Sequence, residues 1–334
     1  MTKPRQARIL PGTPRHLALL ARRLQQGAIV AVPTETVYGL AANALDAEAC
    51  AKIFAAKGRP ADDPLIVHIH SLAQLPALCR ANPAALTLAR KFWPGPLTIV
   101  LPKTDAVPAI VTAGRDSVAV RMPRHPLFRR LLKATGLPLA APSANPFGYI
   151  SPTTAAHVQQ GLGQRIRYIL DGGPARIGLE STIVDLRDPK RPAILRPGLI
   201  TAGEIAHALG RKRLPSAPAT STRIRPGPQL APGLLARHYS PRTPVVLHNR
   251  IRWTVAKSAE PGVAWVFQQR PKAKVGPNIT WLDPHGRLPG VARRLFALLR
   301  RLDAMGLNCI HIERARGGGL ADAINDRLQR AAAR

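Results

Sequence analysis

Four short polar strings in this sequence could bind and activate a small anionic substrate. The first, Pro33-Thr34-Glu35-Thr36-Val37-Tyr38-Gly39-Leu40, follows the apolar run Ala28-Ile29-Val30-Ala31-Val32 directly. Hydroxyls, a carboxylate and a glycine at the end of a buried strand are what a substrate crevice in an α/β sheet requires. The same string also serves as an ordinary polar turn. The second, Lys57-Gly58-Arg59-Pro60, closes a helical stretch. A lysine and an arginine on either side of a glycine can converge on one set of phosphates once the chain leaves helical geometry. Basic residues followed by Gly-x-Pro equally suit a plain helix stop.

The third string, Pro142-Ser143-Ala144-Asn145, follows a strand and precedes Gly148 and Ser151-Pro152-Thr153. Its hydroxyl and amide groups, with the free N–H groups of a helix start, make a phosphate or ribose cradle, or simply an N-cap. The fourth runs from Asp171-Gly172-Gly173-Pro174 to Gly178-Leu179-Glu180-Ser181-Thr182, a glycine-rich loop leading to another polar strand entrance. The sequence has no Walker A string and no GxGxxG, so two familiar nucleotide motifs are absent.

The elements that must position these groups alternate. Residues 28–32, 65–69, 97–101, 118–121, 137–141, 167–170, 182–186 and 193–195 read as strands, and 46–56, 83–92, 126–134 and 153–160 as helices. Thr13-Pro14 followed by Leu17, Leu20 and Leu24 and stopped at Gly27 reads as a capped amphipathic helix. Strands with irregularly spaced helices predict an α/β sheet of mixed direction. From Arg211 the text turns basic and proline-rich, with Pro215, Pro218, Pro226, Pro228 and Pro232, which reads as a linker. Beyond it, 245–248, 262–267 and 307–313 read as strands and 289–302 and 320–333 as helices. The expected organisation is a large domain over 1–210, a linker over 211–243 and a small α/β domain over 244–334.

The chain of 334 residues is 46% hydrophobic, enough for two cores, and no apolar run reaches the length of a membrane span, so it reads as soluble. Its 49 basic against 18 acidic residues give a net charge of +31, which favours polyanionic partners. An arginine-rich genome raising every surface position accounts for the same excess. Cys50, Cys79 and Cys309 are scattered without CxxC spacing, which argues against a disulfide framework or a zinc site and fits a reducing cytoplasm.

Taken in order, PTETVYGL, KGRP, PLIVH, SVAVRMP, PSAN and GLESTIVD resemble the YrdC-like domain of threonylcarbamoyl-AMP synthases, over about residues 14–209. Ala231-Pro232-Gly233 before Arg237-His238-Tyr239-Ser240-Pro241, and the closing GLADAINDRL, resemble the longer two-domain members. The resemblance implies a large YrdC-like twisted mixed sheet with helices, plus a small C-terminal Rossmann-like α/β domain. It implies a nucleotidyltransferase that forms L-threonylcarbamoyladenylate and pyrophosphate from ATP, L-threonine and bicarbonate. That product serves tRNA modification beside the anticodon, with Mg²⁺ accompanying ATP and threonylcarbamoyl transferase proteins acting downstream. Direct tRNA contact is a further expectation.

Carried onto matching positions, Lys57, Arg59, Ser143 and Asn145 are the catalytic KxR and SxN residues. Thr36, His68, Arg121 and Ser181 face L-threonine, and Arg59, Ser117, Ser143, Ser151 and Arg196 face ATP, with Tyr239 folding over the nucleotide. No protein ligand to a metal is expected. Three departures stand out: Asp63 near the expected phosphates, where a carboxylate repels ATP unless it helps hold the metal; Phe147 after the SxN motif; and Leu235 and Ala236 in the linker. Two other readings compete: an RNA-binding protein without catalysis, and a hydrogenase-maturation relative sharing the YrdC-like domain, whose cysteine-rich zinc motifs this chain lacks.

Overall fold

The apolar runs and capped helices resolve into two sheets. The computed structural model describes residues 6–215, 229–233, 238–257 and 261–333. Pro218, Pro226 and Pro228 of the linker, with Leu235, Ala236 and Arg237, lie outside the described residues.

The larger sheet has ten strands in the order Arg8–Pro11, Tyr168–Asp171, Val30–Val32, Gly39–Asn43, Leu139–Ala140, Ile66–His68, Ser117–Arg121, Leu97–Pro102, Thr182–Asp185 and Ala193–Arg196. Parallel and antiparallel pairs alternate irregularly along it, as expected of a mixed sheet. Its central strands are buried along their whole length, because helices cover the faces. Pro14–Gln25 begins at Thr13, whose hydroxyl accepts from His16 N–H, and buries Leu17, Leu20 and Leu24. Ala47–Lys57 starts on an Asp46 cap and ends at Gly58 with φ 63°, a left-handed turn that glycine adopts without steric cost.

The smaller sheet is parallel throughout, in the order Val245–His248, Cys309–Glu313, Val263–Gln269 and Ile279–Asp283. Leu288–Asp303 and Leu320–Ala332 pack on it. Its apolar cluster does not stop at the small unit. Val37, Ile150 and Leu179, all from the polar strings of the large one, share a cluster with Leu295, Phe296 and Ile324. Among the described residues no helix is long and apolar enough to cross a membrane.

Three strands went unread, among them Ile279–Asp283 on the edge of the small sheet. Arg8–Pro11 lies on the edge of the large sheet, and Gly39–Asn43 is Gly-Leu-Ala-Ala-Asn, poor in β-branched residues. Gly39–Asn43 is extended because it pairs antiparallel on both sides, with Val30–Val32 and with Leu139–Ala140. Tertiary pairing outweighs local preference there.

Candidate active site

The polar strings meet because the sheet registers them. Gly39 bridges Ser143, Leu40 N–H donates to the Pro142 carbonyl, and Ala144 N–H donates to that of Tyr38. Any side chain at Gly39 would crowd Ala141 and Pro142, its Cβ lying 3.2 Å from the Ala141 Cβ. The turn at Gly58 then carries the second string to the third. Lys57 Nζ donates to the carbonyls of Ser143 at 2.5 Å and Asn145 at 2.6 Å, and Phe147 N–H donates back to Lys57 O at 2.9 Å. Burial pushes the Lys57 ammonium well below the usual lysine range, reinforced by Arg59 and opposed by Asp63.

A cleft opens over this junction. Thr36, His68, Arg121, Ser181, Arg59, Ser143 and Arg196 line it. Pro232, Gly233, His238 and Tyr239 of the linker line it as well. Lys57, Asn145, Ser117 and Ser151 are buried but do not line the cleft. Ser117 Oγ and Asn145 Oδ1 have no hydrogen-bond partner among the described residues.

The cleft is held in shape by buried ion pairs. Arg121 Nη2 donates to Glu35 Oε1 at 2.7 Å, and both Nη atoms reach Thr36 Oγ1. Burial alone would raise the Glu35 carboxyl, yet Arg121 outweighs it and holds Glu35 below the usual range. The arginine fork is thus already engaged by Glu35 and Thr36. His68 sits beside Arg121 on the neighbouring parallel strand. Burial, helped by the Arg121 charge, pushes its imidazole down to about 3, so it is neutral near pH 7.

Arg59 Nε donates to Asp63 O, and Nη2 to Pro64 O and to the Asp63 carboxylate at 2.9 Å. Asp63 is 0% exposed, so its charge faces Arg59 and not the cleft. Burial raises the Asp63 carboxyl and lowers the Arg59 guanidinium, and each opposes the shift in the other. The repulsion expected of Asp63 is replaced by a paired charge that orients Arg59. Phe147 does not line the cleft but packs edge-on against His238, which does, with centroids 6.3 Å apart.

The linker is anchored rather than merely close. Arg196 Nη1 donates to Pro232 O at 3.0 Å, while Nη2 and Nε hold Ser181 Oγ and O. Gly233 has φ 78°, and a Cβ there would lie 2.6 Å from the Tyr239 hydroxyl. Tyr239, itself at φ 61°, stacks on Phe296 of the small unit with centroids 5.5 Å apart. Residues not singled out from sequence also line the cleft: Thr34, Glu180 and His238. Each lay inside a string already noted, which was the available signal.

Comparison with known proteins adds an independent view. A family profile described as Telomere recombination (Sua5, YciO and YrdC) matches residues 22–198. One described as Threonylcarbamoyl-AMP synthase, C-terminal domain, matches residues 200–333. The threonylcarbamoyl-AMP synthase of Pyrococcus abyssi is 41% identical over 324 residues, spanning 94% of this chain and 93% of its own length. That of Bacillus subtilis is 41% identical over 326 residues, spanning 95% and 92%. The crystal structure of P. abyssi Sua5 complexed with L-threonine matches with a TM-score of 0.87 at 41% identity, over 95% of this chain and 94% of that one.

Proposed function

Because the chain belongs to the two-domain threonylcarbamoyl-AMP synthases, we propose that its cleft holds L-threonine on one side and ATP on the other, in the roles given below. The enzyme is a nucleotidyltransferase that forms L-threonylcarbamoyladenylate and pyrophosphate from ATP, L-threonine and bicarbonate, the first step of threonylcarbamoyladenosine formation in tRNA.

The observation that carries the residue assignment is the junction of the KGR and SAN strings against the wall formed by Thr36, His68, Arg121 and Ser181. Arg121 and Thr36 receive the threonine carboxylate and hydroxyl, and neutral His68 offers a hydrogen bond without adding charge. The amino group adds to carbon dioxide with loss of a proton, or displaces water from bicarbonate, to give a carbamate. A carbamate oxygen then forms a bond to the α-phosphorus while the bond to the β-phosphate oxygen breaks and pyrophosphate leaves. Arg59 and Arg196 offset the charge that builds on the phosphates, and Ser117, Ser143 and Ser151 support the nucleotide. Lys57 fixes the SAN loop through its carbonyls and lies ready to turn toward the phosphates. Tyr239 closes the mouth over the nucleotide.

Among the described residues no three His, Cys, Asp or Glu side chains converge to hold a metal ion. Asp63 is engaged by Arg59. Mg²⁺ would enter with ATP and offset the phosphate charge beside Arg59 and Arg196. We place the protein in the cytoplasm on its scattered cysteines, which lack the spacing of a disulfide framework. Threonylcarbamoyl transferase proteins then consume the adenylate, and the net charge of +31 supports direct tRNA contact.

The purified protein with ATP, L-threonine, bicarbonate and Mg²⁺ should release pyrophosphate only when all are present, with threonylcarbamoyl-AMP detected by mass. Lys57→Ala and Arg59→Ala should each lower turnover by about 100-fold or more. Pyrophosphate release that ignores threonine, or wild-type turnover in either variant, would sink the assignment.

A further inference from the structure

We propose that Arg327, on the last helix of the small domain, is a positioning residue for ATP: it neutralises Glu180 in the cleft wall, the carboxylate that Ser151 holds from behind that wall. The inference rests on the ATP side of the cleft assigned above.

Arg327 is 0% exposed although it stands on the terminal helix Leu320–Ala332. Its Nε donates to Glu180 Oε2 at 2.9 Å, Nη1 to Asp326 Oδ2 at 2.6 Å and Nη2 to Pro197 O at 3.0 Å. The guanidinium also lies 5.4 Å from the ring centre of Tyr239. Asp326 has a second cation, Arg330. For Glu180 the contacts are one from each domain: Oε2 takes Arg327, and Oε1 accepts Ser151 Oγ at 2.6 Å. Glu180 lines the cleft beside Ser181.

The sign of Glu180 is the difficulty that Arg327 removes. A carboxylate in the wall of a cleft that admits a triphosphate repels it, and a buried carboxylate without a cation is strongly disfavoured. A bare tether between domains would not need to stand at this spot. The domains are already joined by Tyr149 Oη donating to Asp303 at 2.7 Å, by Arg300 donating to the Ile150 and Ser151 carbonyls, and by Gly178 packed on the Arg293 backbone. Arg327 instead reaches Glu180, the one carboxylate among the described residues that lines the cleft, which Ser151 holds from behind the wall. The small domain in this way completes the electrostatics of a site built from the large domain and the linker.

The test measures ATP and L-threonine dissociation constants separately by calorimetry on the full chain. Arg327→Met should weaken ATP by at least about tenfold while threonine stays within about twofold, because the exposed charge repels only the anion. Adding Glu180→Gln to Arg327→Met should return ATP affinity to within about threefold of wild type, since it removes the charge left unpaired. Arg327→Lys, which keeps a cation in place, should hold ATP within about fivefold, and it carries the test if the Met variant does not fold. Equal loss of both ligands, failure of Glu180→Gln to restore ATP, or an ATP loss in Arg327→Lys as large as in the Met variant would overturn the proposal and leave a structural staple. Pyrophosphate release by the wild type is scored in the same preparations. Its absence overturns the synthase assignment, whereas the order of ATP affinities decides the role of Arg327.

Discussion

Burial of His68 beside Arg121 has a consequence for the pH dependence of stability. The folded pKa of about 3 lies below the ordinary 6.5, so the unfolded chain takes up the proton first as pH falls. Stability from this site is complete above about 6.5 and is lost between there and about 3. His68→Gln should therefore reduce the stability lost between pH 7 and pH 5 by roughly 1–2 kcal/mol, read from urea unfolding at the two values. An unchanged slope would show that His68 is not the neutral group described. Glu35 acts in the same direction, since its lowered pKa gives stability that disappears as pH falls through the folded value. At this scale the sequence displayed the groups but not their pairing. Thr36, Arg59, His68, Arg121 and Ser181 stood in readable strings, and all line the cleft. That Asp63 belongs to Arg59, and Glu35 to Arg121, depends on burial, which residue types alone do not reveal.

The elements were legible where local chemistry is strong. Thr13 caps the helix whose start it announced, Asp46 and Asn82 cap two others, and Gly58 and Gly136 end theirs in the left-handed region. Gly39–Asn43 was hidden because its extended state comes from its neighbours. Gly178 is a sharper case, for nothing around it in sequence explains its need to be glycine. Its φ is 80°, and a Cβ would lie 2.6 Å from the Arg293 Cα and 2.7 Å from two carbonyl oxygens of the helix Leu288–Asp303. Gly178→Ala should therefore cost about 2 kcal/mol or more and speed proteolysis between the domains. Gly136→Ala meets nothing within 4 Å and should cost only about 1 kcal/mol, from the left-handed φ alone. Comparable melting of the two variants would contradict the tight helix contact.

For the molecule as a whole, the charge of +31 makes a quantitative demand. RNA binding driven by phosphate neutralisation should weaken by roughly 10-fold or more between about 50 and 200 mM salt, measured by filter binding with tRNA and with an unrelated RNA. Equal affinity for both RNAs would favour a general arginine excess over a tRNA-specific surface, a choice that composition left open. Composition and the change of character near Arg211 did disclose two units, but not that they share an interior. Val37, Ile150 and Leu179 grow from the substrate strings yet pack with Leu295, Phe296 and Ile324. Heat should consequently register one endotherm for the entire chain, not two. By reciprocity, threonine at 100 times its dissociation constant adds about 2.7 kcal/mol to the far helices as well as to the near walls. Occupancy of the cleft is then legible in the amide exchange of Leu320–Ala332, the terminal helix that touches the cleft wall through Arg327.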